Sequence, residues 1–395
     1  MPEPDSGRSV AMLVRNPFTH DTRVEKEART LLTAGYRVTV VADAGAGLPE
    51  RESRDGIEVR RVARRGPRLP GLRFVLHETL LARTLRALRA DVYHAHDSNA
   101  LIPVAWAARA GRVPFVYDAH DLWLGRPRRE RSRAYFALNQ AFYTILERVL
   151  VPRAAATLTV SAPIARHLER RYSLERVHLV PNYPERPGAL TTMDLRSLHG
   201  GAAIGHQDLV VLYLGALMAG RGLEQLVDAI GLVPSAQLVL LGQGPIAGEL
   251  AERAGRLGAG DRVHRLAPVA HDEVVAYAAS ADIGVSPIVP SCLNYRYSLP
   301  NKLFQYMAAG IPVVASDFPQ VREIVDGASC GVLVDTSYPS DIARAIERVA
   351  ADPIGARAMG ERGRAAVAAR YHWAIAARTL LRAYRGLPRP VPAGS

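Results

Sequence analysis

Residues Asn294–Asp317 read NYRYSLPNKLFQYMAAGIPVVASD and hold a polar loop, a helical segment and a short apolar strand in succession. Pro300 suits the first turn of a helix, where its missing N–H is not needed. Lys302 stands at this helix start, although the chain has only one other lysine, Lys26. Free backbone N–H groups and a cation at one helix start predict a phosphate-binding site.

Strand-like and helical patterns alternate on both sides of this stretch. Predicted strands of the first half lie at 10–15, 36–42, 57–62, 91–96, 114–120, 157–161 and 177–181. Those of the second half lie at 209–215, 236–242, 263–268, 283–288, 312–316 and 331–335. Apolar strands separated by helices indicate parallel sheets covered on both faces. We therefore expect an α/β fold of two Rossmann-like, doubly wound domains facing each other across a cleft.

The chain of 395 residues exceeds one ordinary core and suits two domains. The alternation breaks between Pro181 and Gln207, where Pro, Gly and small residues accumulate. We predict an N-terminal domain over residues 1–190, a linker over 191–206 and a C-terminal domain over 207–371. A last helix, about 372–388, is expected to pack back on the first domain.

Composition limits the class of protein. With 48% hydrophobic and 22% charged residues, the chain resembles globular proteins, not disordered ones. No apolar run approaches the roughly 20 residues of a membrane helix, and the N-terminus lacks a signal-peptide pattern. Cys292 and Cys330 are too few for a disulfide framework or a zinc site. These features predict a cytoplasmic protein.

The net charge of +12 comes almost wholly from arginine, with 50 − 2 = 48 arginines beside two lysines. Arginines cluster at 51–73 and again at 122–133. Either cluster is a solvated basic face or a surface for an acidic partner, such as anionic lipid headgroups or a phosphorylated acceptor. Nucleic acid is disfavoured because no aromatic residues interleave with these arginines.

In doubly wound sheets, ligands bind beyond the carboxyl ends of the strands. Two loops of the second half, LGALMAGRGL and LLGQGP, follow strands and are rich in glycine, but neither is a P-loop or a full dinucleotide-binding fingerprint. Arg221 in the first loop and Lys302 would together supply two positive charges for a diphosphate.

Taken in order, LGALMAGRGLEQLVDAI, LLGQGP and SLPNKLFQYMAAGIPVVASDFPQVREIV resemble the nucleotide-binding half of retaining GT-B glycosyltransferases of family 4. The segments HDTRVEKEARTLLTAGYRVTVVA, DVYHAHDSNAL, VPFVYDAHDLW and VPNYPE resemble the acceptor-side domain of the same family. The resemblance spans roughly residues 10–375. It implies sugar transfer from a nucleoside-diphosphate sugar to a hydroxyl acceptor, without a cofactor. No Asp-x-Asp element is present, so no metal is expected.

By position, the resemblance assigns site residues. The expected catalytic residues are His120, Arg221 and Lys302. The expected donor-binding residues are Gly215, Gly242, Leu266, Tyr297, Ser298, Leu299, Pro300, Asn301 and Gln305. Two departures concern Tyr297 and Gln305, which stand where the family typically has two glutamates; Gln305 can still bond ribose hydroxyls, whereas Tyr297 supplies no anion. Ala216 replaces an arginine that the family often has.

Acceptor binding is expected at His20, Asp21 and Arg23, in the loop after the first strand. Asp21 could instead cap the following helix, and Arg23 and Lys26 could simply be solvated. His120 could instead be a hydrogen-bonded residue at a strand end, and His94 and His96 are expected to be structural.

The leading interpretation is a retaining, metal-independent glycosyltransferase that makes envelope glycolipid or polysaccharide and contacts anionic membrane peripherally. Two alternatives stay open. The same chemistry could act on a small natural product, or the chain could be a silent sugar-nucleotide-binding partner protein, for which Tyr297 and Gln305 are the support.

Overall fold

The computed structural model describes residues 7–64, 69–126, 132–199 and 204–389. The chain forms two compact units: Met1–Asn182 with Ala376–Ser395, and Tyr183–Ile375. Each unit is built on its own sheet. The prediction of an α/β protein with two parallel-sheet domains is confirmed.

The first unit has an eight-stranded sheet in the order β3-β4-β2-β1-β5-β6-β7-β8. Its strands are β1 (Ser9–Val14), β2 (Arg37–Asp43), β3 (Arg51–Arg54), β4 (Ile57–Val62), β5 (Val92–His96), β6 (Phe115–Ala119), β7 (Ala156–Thr159) and β8 (His178–Leu179). Its helices are α1 (Thr22–Thr33), α2 (Pro70–Ala87), α3 (Leu101–Gly111), α4 (Arg133–Leu150) and α5 (Ala162–Tyr172). All pairs are parallel except β3 with β4.

Strand β3, with the sequence RESR, was not predicted because no apolar pattern marks it. Arg61, on the adjacent strand β4, shows that part of the arginine cluster at 51–73 stabilises the fold and is not a solvated face. Arg61 is buried and donates hydrogen bonds to the carbonyls of Pro17 (2.9 Å) and Pro49 (3.0 Å) and to Glu52 (2.7 Å). Arginines at 65, 68, 128, 129 and 131 lie outside the described residues.

The second unit has a six-stranded, wholly parallel sheet in the order β11-β10-β9-β12-β13-β14. Its strands are β9 (Leu209–Leu214), β10 (Ala236–Leu241), β11 (Val263–Leu266), β12 (Ile283–Ser286), β13 (Val313–Ser316) and β14 (Gly331–Val334). Its helices are α6 (Leu223–Leu232), α7 (Ala247–Arg256), α8 (Val274–Ala278), α9 (Leu293–Tyr297), α10 (Asn301–Ala309), α11 (Pro319–Ala328), α12 (Pro339–Ala350) and α13 (Pro353–Ala369). Apolar side chains fill both faces of this sheet.

The predicted linker 191–206 is corrected for its described residues, 191–199 and 204–206, because they belong to the second unit. The backbone N–H of Met193 donates to the Ala276 carbonyl at 3.0 Å, and that of Leu195 donates to Ser280 Oγ at 2.9 Å. Leu195 is fully buried in the core. Its isolated position among polar residues concealed this anchoring from pattern analysis.

The last helix, α14 (Trp373–Arg385), returns the chain to the first unit from Ala376 onward. Tyr384 on this helix is fully buried, and its ring meets that of Tyr36 edge to face at 5.7 Å. Within the described ranges, no helix combines the length and apolar character needed to span a bilayer.

Candidate functional site

The carboxyl edge of the second sheet has a switch point, where successive strands are added on opposite sides of β9. β9 is flanked by β10 and β12, so the connections leaving β9 and β12 diverge. Such a point leaves a crevice between the two loops, which is the usual ligand site of a doubly wound sheet. Gly215 follows β9, and residues 298–302 lead from the β12 loop into α10.

Tyr306 fixes the start of α10 at this crevice. Its hydroxyl donates to the Val285 carbonyl (3.1 Å) and accepts from the Leu214 N–H (2.9 Å), which ties the helix to β12 and β9. Gly284 makes room for the ring, because a Cβ there would lie 2.3 Å from the ring Cγ. Lys302 is one turn earlier on the same side of α10, so this bond also positions Lys302.

Lys302 extends over the ring of Tyr213, with Nζ 3.5 Å from the ring centroid. A Cβ built on Gly215 would lie 3.9 Å from Nζ, so the glycine leaves no side chain beside the Lys302 amine. Burial, and then the nearby charge of Arg221, hold the pKa of Lys302 well below its usual value. Among the described residues, no carboxylate offsets these effects. The amine is therefore held in a position suited to an anion that the described part of the chain does not provide.

Arg221 lies in the loop between β9 and α6 and is half-buried. Its guanidinium Cζ is 5.1 Å from the centroid of the Tyr295 ring. The ion pairs found within the described ranges do not include Arg221. The structure therefore brings Arg221 and Lys302 close enough to repel each other. Two cations that bind one diphosphate would lie equally close.

Two glycines let the loops of this edge pack backbone against backbone. Gly222 has φ +75°, and a Cβ there would lie 1.6 Å from the Pro287 carbonyl oxygen in the loop after β12. Gly242 has φ +156°, and its Cβ would lie 2.1 Å from the Gly215 carbonyl oxygen. Any larger residue would force these loops apart and change the outline of the crevice.

The other predicted donor residues occupy varied positions. Pro300 is the residue before α10, not part of its first turn, and it offers no side-chain acceptor to the helix N–H groups. Asn301 is therefore the first helical residue, and Gln305 is half-buried on the next turn. The Leu266 side chain is buried in the core, so a nucleobase could meet only backbone or neighbouring residues there.

The remaining three predicted donor-binding residues, Tyr297, Ser298 and Leu299, lie together just before α10. Tyr297 is the last residue of α9, and the Ser298 hydroxyl donates to the Tyr295 carbonyl at 2.8 Å. Leu299 is half-buried against the core.

In the first unit, His120 follows β6 and belongs to a buried polar network centred on Asp118. Its Nε2 is 2.9 Å from Asp118 Oδ2 and 3.0 Å from His96 Nδ1. Its backbone N–H donates to Asp97 Oδ1 at 3.2 Å. Burial opposes the charged imidazolium, but Asp118 and Asp97 together raise the pKa of His120 to about 9. His120 is therefore a cation at neutral pH, with its side chain partly exposed.

Arg23 is the counter-ion of Asp118, which corrects its placement as an acceptor-binding or solvated residue. Its Nε and terminal nitrogen bond the two Asp118 oxygens at 2.8 and 2.7 Å, and it is only 4% exposed. It also donates to the Val180 carbonyl at 2.5 Å. Glu27, one turn along α1, lies 3.1 Å from the same guanidinium. Burial, and then Asp118, raise the pKa of Glu27 to about 8.

His94 and His96 complete this network. Their rings stack at 4.2 Å, and Tyr384 of α14 hydrogen-bonds His94 Nδ1 at 2.8 Å. Glu27, His94, His96 and Asp118 place one ligand atom each within 4.8 Å of one another, which would suit a metal ion. Arg23 and the charged His120 already provide the positive charge here, so a dication would add charge to a buried, already cationic centre.

The two other predicted acceptor residues follow β1. Asp21 caps α1, because its side chain accepts from the Val24 N–H at 3.2 Å and from Asn16 at 2.8 Å. The capping alternative is therefore the one that the structure shows. His20 is exposed, with Nδ1 3.0 Å from Thr19 Oγ1.

Sequence reasoning missed Asp118, Glu27 and two tyrosines: Tyr306, which positions Lys302, and Tyr384, which bonds His94. A signal existed on α1, where Arg23 and Glu27 share a face with buried Val24, Ala28 and Leu31. Two opposite charges four residues apart on an apolar face indicate a buried ion pair. The hydroxyl bonds of Tyr306 and Tyr384 span long sequence separations and leave no local pattern.

The protonation of His120 and Glu27 predicts that the free energy of unfolding falls as the pH rises from about 7 to 9. An unfolded imidazole loses its proton near pH 6.5, whereas the pKa of His120 in the fold is about 9, so the folded state binds more protons in this window. Glu27 acts in the same direction. We expect a loss on the order of 2 kcal/mol. Urea unfolding at three pH values measures it; a wild-type profile that falls no more steeply over this window than that of His120→Gln would contradict the role of His120.

Comparison with known proteins covers both units. Residues 21–183 match the family model Glycosyltransferase Family 4, and residues 208–352 match the model Glycosyl transferases group 1. Alpha-maltose-1-phosphate synthase of Mycolicibacterium smegmatis is 27% identical over 350 residues, which are 82% of this chain and 87% of that protein.

A second relative matches over half of each chain. It is the GDP-mannose-dependent alpha-(1-6)-phosphatidylinositol monomannoside mannosyltransferase of Mycobacterium tuberculosis, 30% identical over 206 residues, or 51% of this chain and 52% of that protein. Among solved structures, HepE of Anabaena in complex with UDP-glucose superposes with a TM-score of 0.73. It covers 96% of this chain and 100% of HepE at 17% identity, so this likeness concerns the fold.

Proposed function

The chain belongs to the family 4, group 1 type of glycosyltransferases with the GT-B fold, and on this premise we propose that it is a retaining enzyme. It transfers a sugar from a UDP- or GDP-linked donor to a hydroxyl group of an envelope glycolipid or polysaccharide. The observation that carries this proposal is the amine of Lys302, which lies over the Tyr213 ring at the switch point of the second sheet and has no carboxylate partner among the described residues.

A nucleoside diphosphate matches the charges and donors gathered there. Lys302 and Arg221 provide two cations, and the start of α10 provides backbone N–H groups and the positive end of the helix dipole. An anion bound beside Lys302 would offset both causes that lower the pKa of this amine, which are burial and then the charge of Arg221. Gly215 permits close approach of the diphosphate.

Catalysis then consists mainly of assisting departure of the nucleoside diphosphate. Positive charge grows on the sugar and negative charge on the leaving phosphate, and Lys302, Arg221 and the helix start stabilise the latter. The acceptor hydroxyl attacks from the face that the leaving group vacates and passes its proton to the leaving phosphate. This route retains anomeric configuration and requires neither a protein nucleophile nor a metal.

We assign His120 the role of a charged hydrogen-bond donor to the donor sugar, as the family resemblance implies. Asp118 and Asp97 keep it protonated and in one orientation. Gln305 on α10 bonds the ribose through its amide oxygen, without the charge of a glutamate. The relatives named above use or bind GDP-mannose and UDP-glucose, which supports uridine or guanosine as the base.

A thermal-shift panel tests the proposal and identifies the donor. UDP, GDP and their sugars are added to the full chain in the presence of EDTA, with UMP and GMP as matched controls. We expect one diphosphate series to raise the melting temperature by mass action, and its monophosphate to raise it much less. Absence of any diphosphate effect would refute the donor site. The anomeric configuration of the transferred sugar, read by NMR, tests retention.

A further inference from the structure

Helices α2 and α4 of the first unit present apolar side chains to solvent, and we call this surface the outer face. On α4 it comprises Tyr135, Leu138, Phe142, Ile145 and Val149, which recur every three or four residues. On α2 and the residue before it, it comprises Leu69, Leu72, Val75, Leu76 and Leu80. Leu138 is 70% exposed and Ile145 66%. The rings of Phe74 and Phe142 meet edge to face at 6.0 Å, so the two stripes adjoin.

The buried side of α2 carries Leu81 and Leu85 and is also anchored by two polar side chains. Glu78 pairs with Arg15 at 2.7 Å, and His77 Nε2 lies 3.0 Å from Asp43 Oδ1. Both α2 side chains are buried. Rotation of α2 to hide its apolar stripe would therefore break a buried ion pair, so the exposure is built into the fold.

Helix α4 likewise buries polar side chains and exposes apolar ones. The buried Glu147 carboxylate accepts hydrogen bonds from the hydroxyls of Ser98 and Tyr172. Tyr143, one turn earlier, packs against Trp123 at 4.9 Å between ring centroids. Helix α4 thus also turns its acidic residue inward and its apolar stripe outward.

Every exposed charge on these two segments is positive. Over residues 69–89 and 132–153, the only carboxylates are Glu78 and Glu147, and both are buried. The exposed charged residues there are Arg73, Arg83, Arg86, Arg89, Arg133, Arg148 and Arg153. A surface of ten exposed apolar side chains on two adjoining helices, bordered only by positive charge, marks an interaction site.

We propose that the outer face docks the protein on an anionic lipid bilayer. Its apolar stripes would enter the boundary between headgroups and acyl chains, while the arginines meet lipid phosphates. A second copy of this chain fits poorly, because a two-fold contact would place the same seven arginines opposite one another. A bilayer supplies both an apolar layer and the opposite charge.

The outer face begins at the carboxyl edge of the first sheet. Helices α2 and α4 follow β4 and β6, which run parallel, so both helices begin at the carboxyl edge where His120 also lies. Docking would bring that edge to the headgroup level. The acceptor class that follows, a lipid-linked hydroxyl compound, rests on the proposed function, whereas the docking itself does not.

Co-sedimentation of the full chain with phosphatidylglycerol and phosphatidylcholine vesicles tests the docking. We expect at least about 10-fold stronger partitioning to phosphatidylglycerol, reduced by salt. The variant Leu138→Glu with Ile145→Glu should lose at least about 10-fold. The matched control is Leu232→Glu with Ile354→Glu, at positions of the second unit that are 56% and 84% exposed, and it should bind as the wild type does.

Equal binding of both variants, or no preference for phosphatidylglycerol, would overturn the docking. So would a vesicle-free dimer that only the outer-face variant abolishes, since the face would then belong to a second copy. The nucleotide-induced thermal shift, measured without vesicles, reports on the proposed function separately. Vesicle binding without any nucleotide effect would leave the docking intact and refute the donor site.

Discussion

Replacing Lys302 with alanine is expected to lower sugar transfer by at least about 100-fold while leaving the donor-free protein as stable as the wild type. The loss reflects one charge contact removed from a preorganised, partly buried site. Stability is retained because Lys302 has no carboxylate partner among the described residues, and its charged form is disfavoured by burial and Arg221. Its removal thus ends a repulsion instead of breaking an ion pair.

Three measurements on purified Lys302→Ala separate this role from a structural one: donor turnover, the melting temperature alone, and the shift with the preferred diphosphate. Turnover and shift should fall, and the unliganded melting temperature should not. Lys26→Ala is the matched control, because Lys26 is the other lysine of the chain and lies on α1 of the first unit. Wild-type turnover in Lys302→Ala would disprove the assignment.

Asp118→Asn is expected to reduce the free energy of unfolding by about 3–5 kcal/mol. Asparagine keeps the shape but removes the charge that Arg23 and His120 face at 2.7–2.9 Å in a fully buried place. Arg23 and His120 would then lose the carboxylate that they share, and among the described residues only Glu27 would remain as an acidic partner 3.1 Å from Arg23. The pKa of His120, now about 9, should fall, because Asp118 is the main group that raises it.

Urea unfolding and NMR titration of the His120 ring measure both effects. Asp121→Asn is the matched control: this carboxylate pairs with Arg126 at 3.1 Å but is 44% exposed, so its loss should cost less than about 1 kcal/mol. If Asp118→Asn were no more harmful than Asp121→Asn, the network could not be what holds His120 charged.

The positions of most strands could be predicted from the chain because buried parallel strands are short apolar runs, whatever surrounds them. The exceptions have physical causes. β3 is an edge strand with a polar sequence, held by antiparallel pairing to β4 rather than by its own pattern. Residues 191–199 look like part of a linker because their anchoring depends on single backbone hydrogen bonds and on the buried side chain of Leu195.

The outer face could not be predicted from the sequence, because its exposure also depends on contacts between distant parts of the chain. Apolar residues at helical spacing predict a helix side that faces the core, and α2 and α4 carry such residues. Which side turns inward was decided by the buried pairs of Glu78 with Arg15 and of Glu147 with Ser98 and Tyr172. Those partners come from other elements.

The sequence by itself determined the α/β class, the alternation of elements, and the local meeting of a helix start with Lys302 in residues 294–317. These are properties of neighbours along the chain. Only the tertiary structure decided that Arg23 is the counter-ion of Asp118, that Asp118 keeps His120 charged, and that Tyr306 holds Lys302 beside Gly215. Protonation and position depend on groups that folding brings within a few ångströms from distant parts of the chain, and no local pattern encodes them.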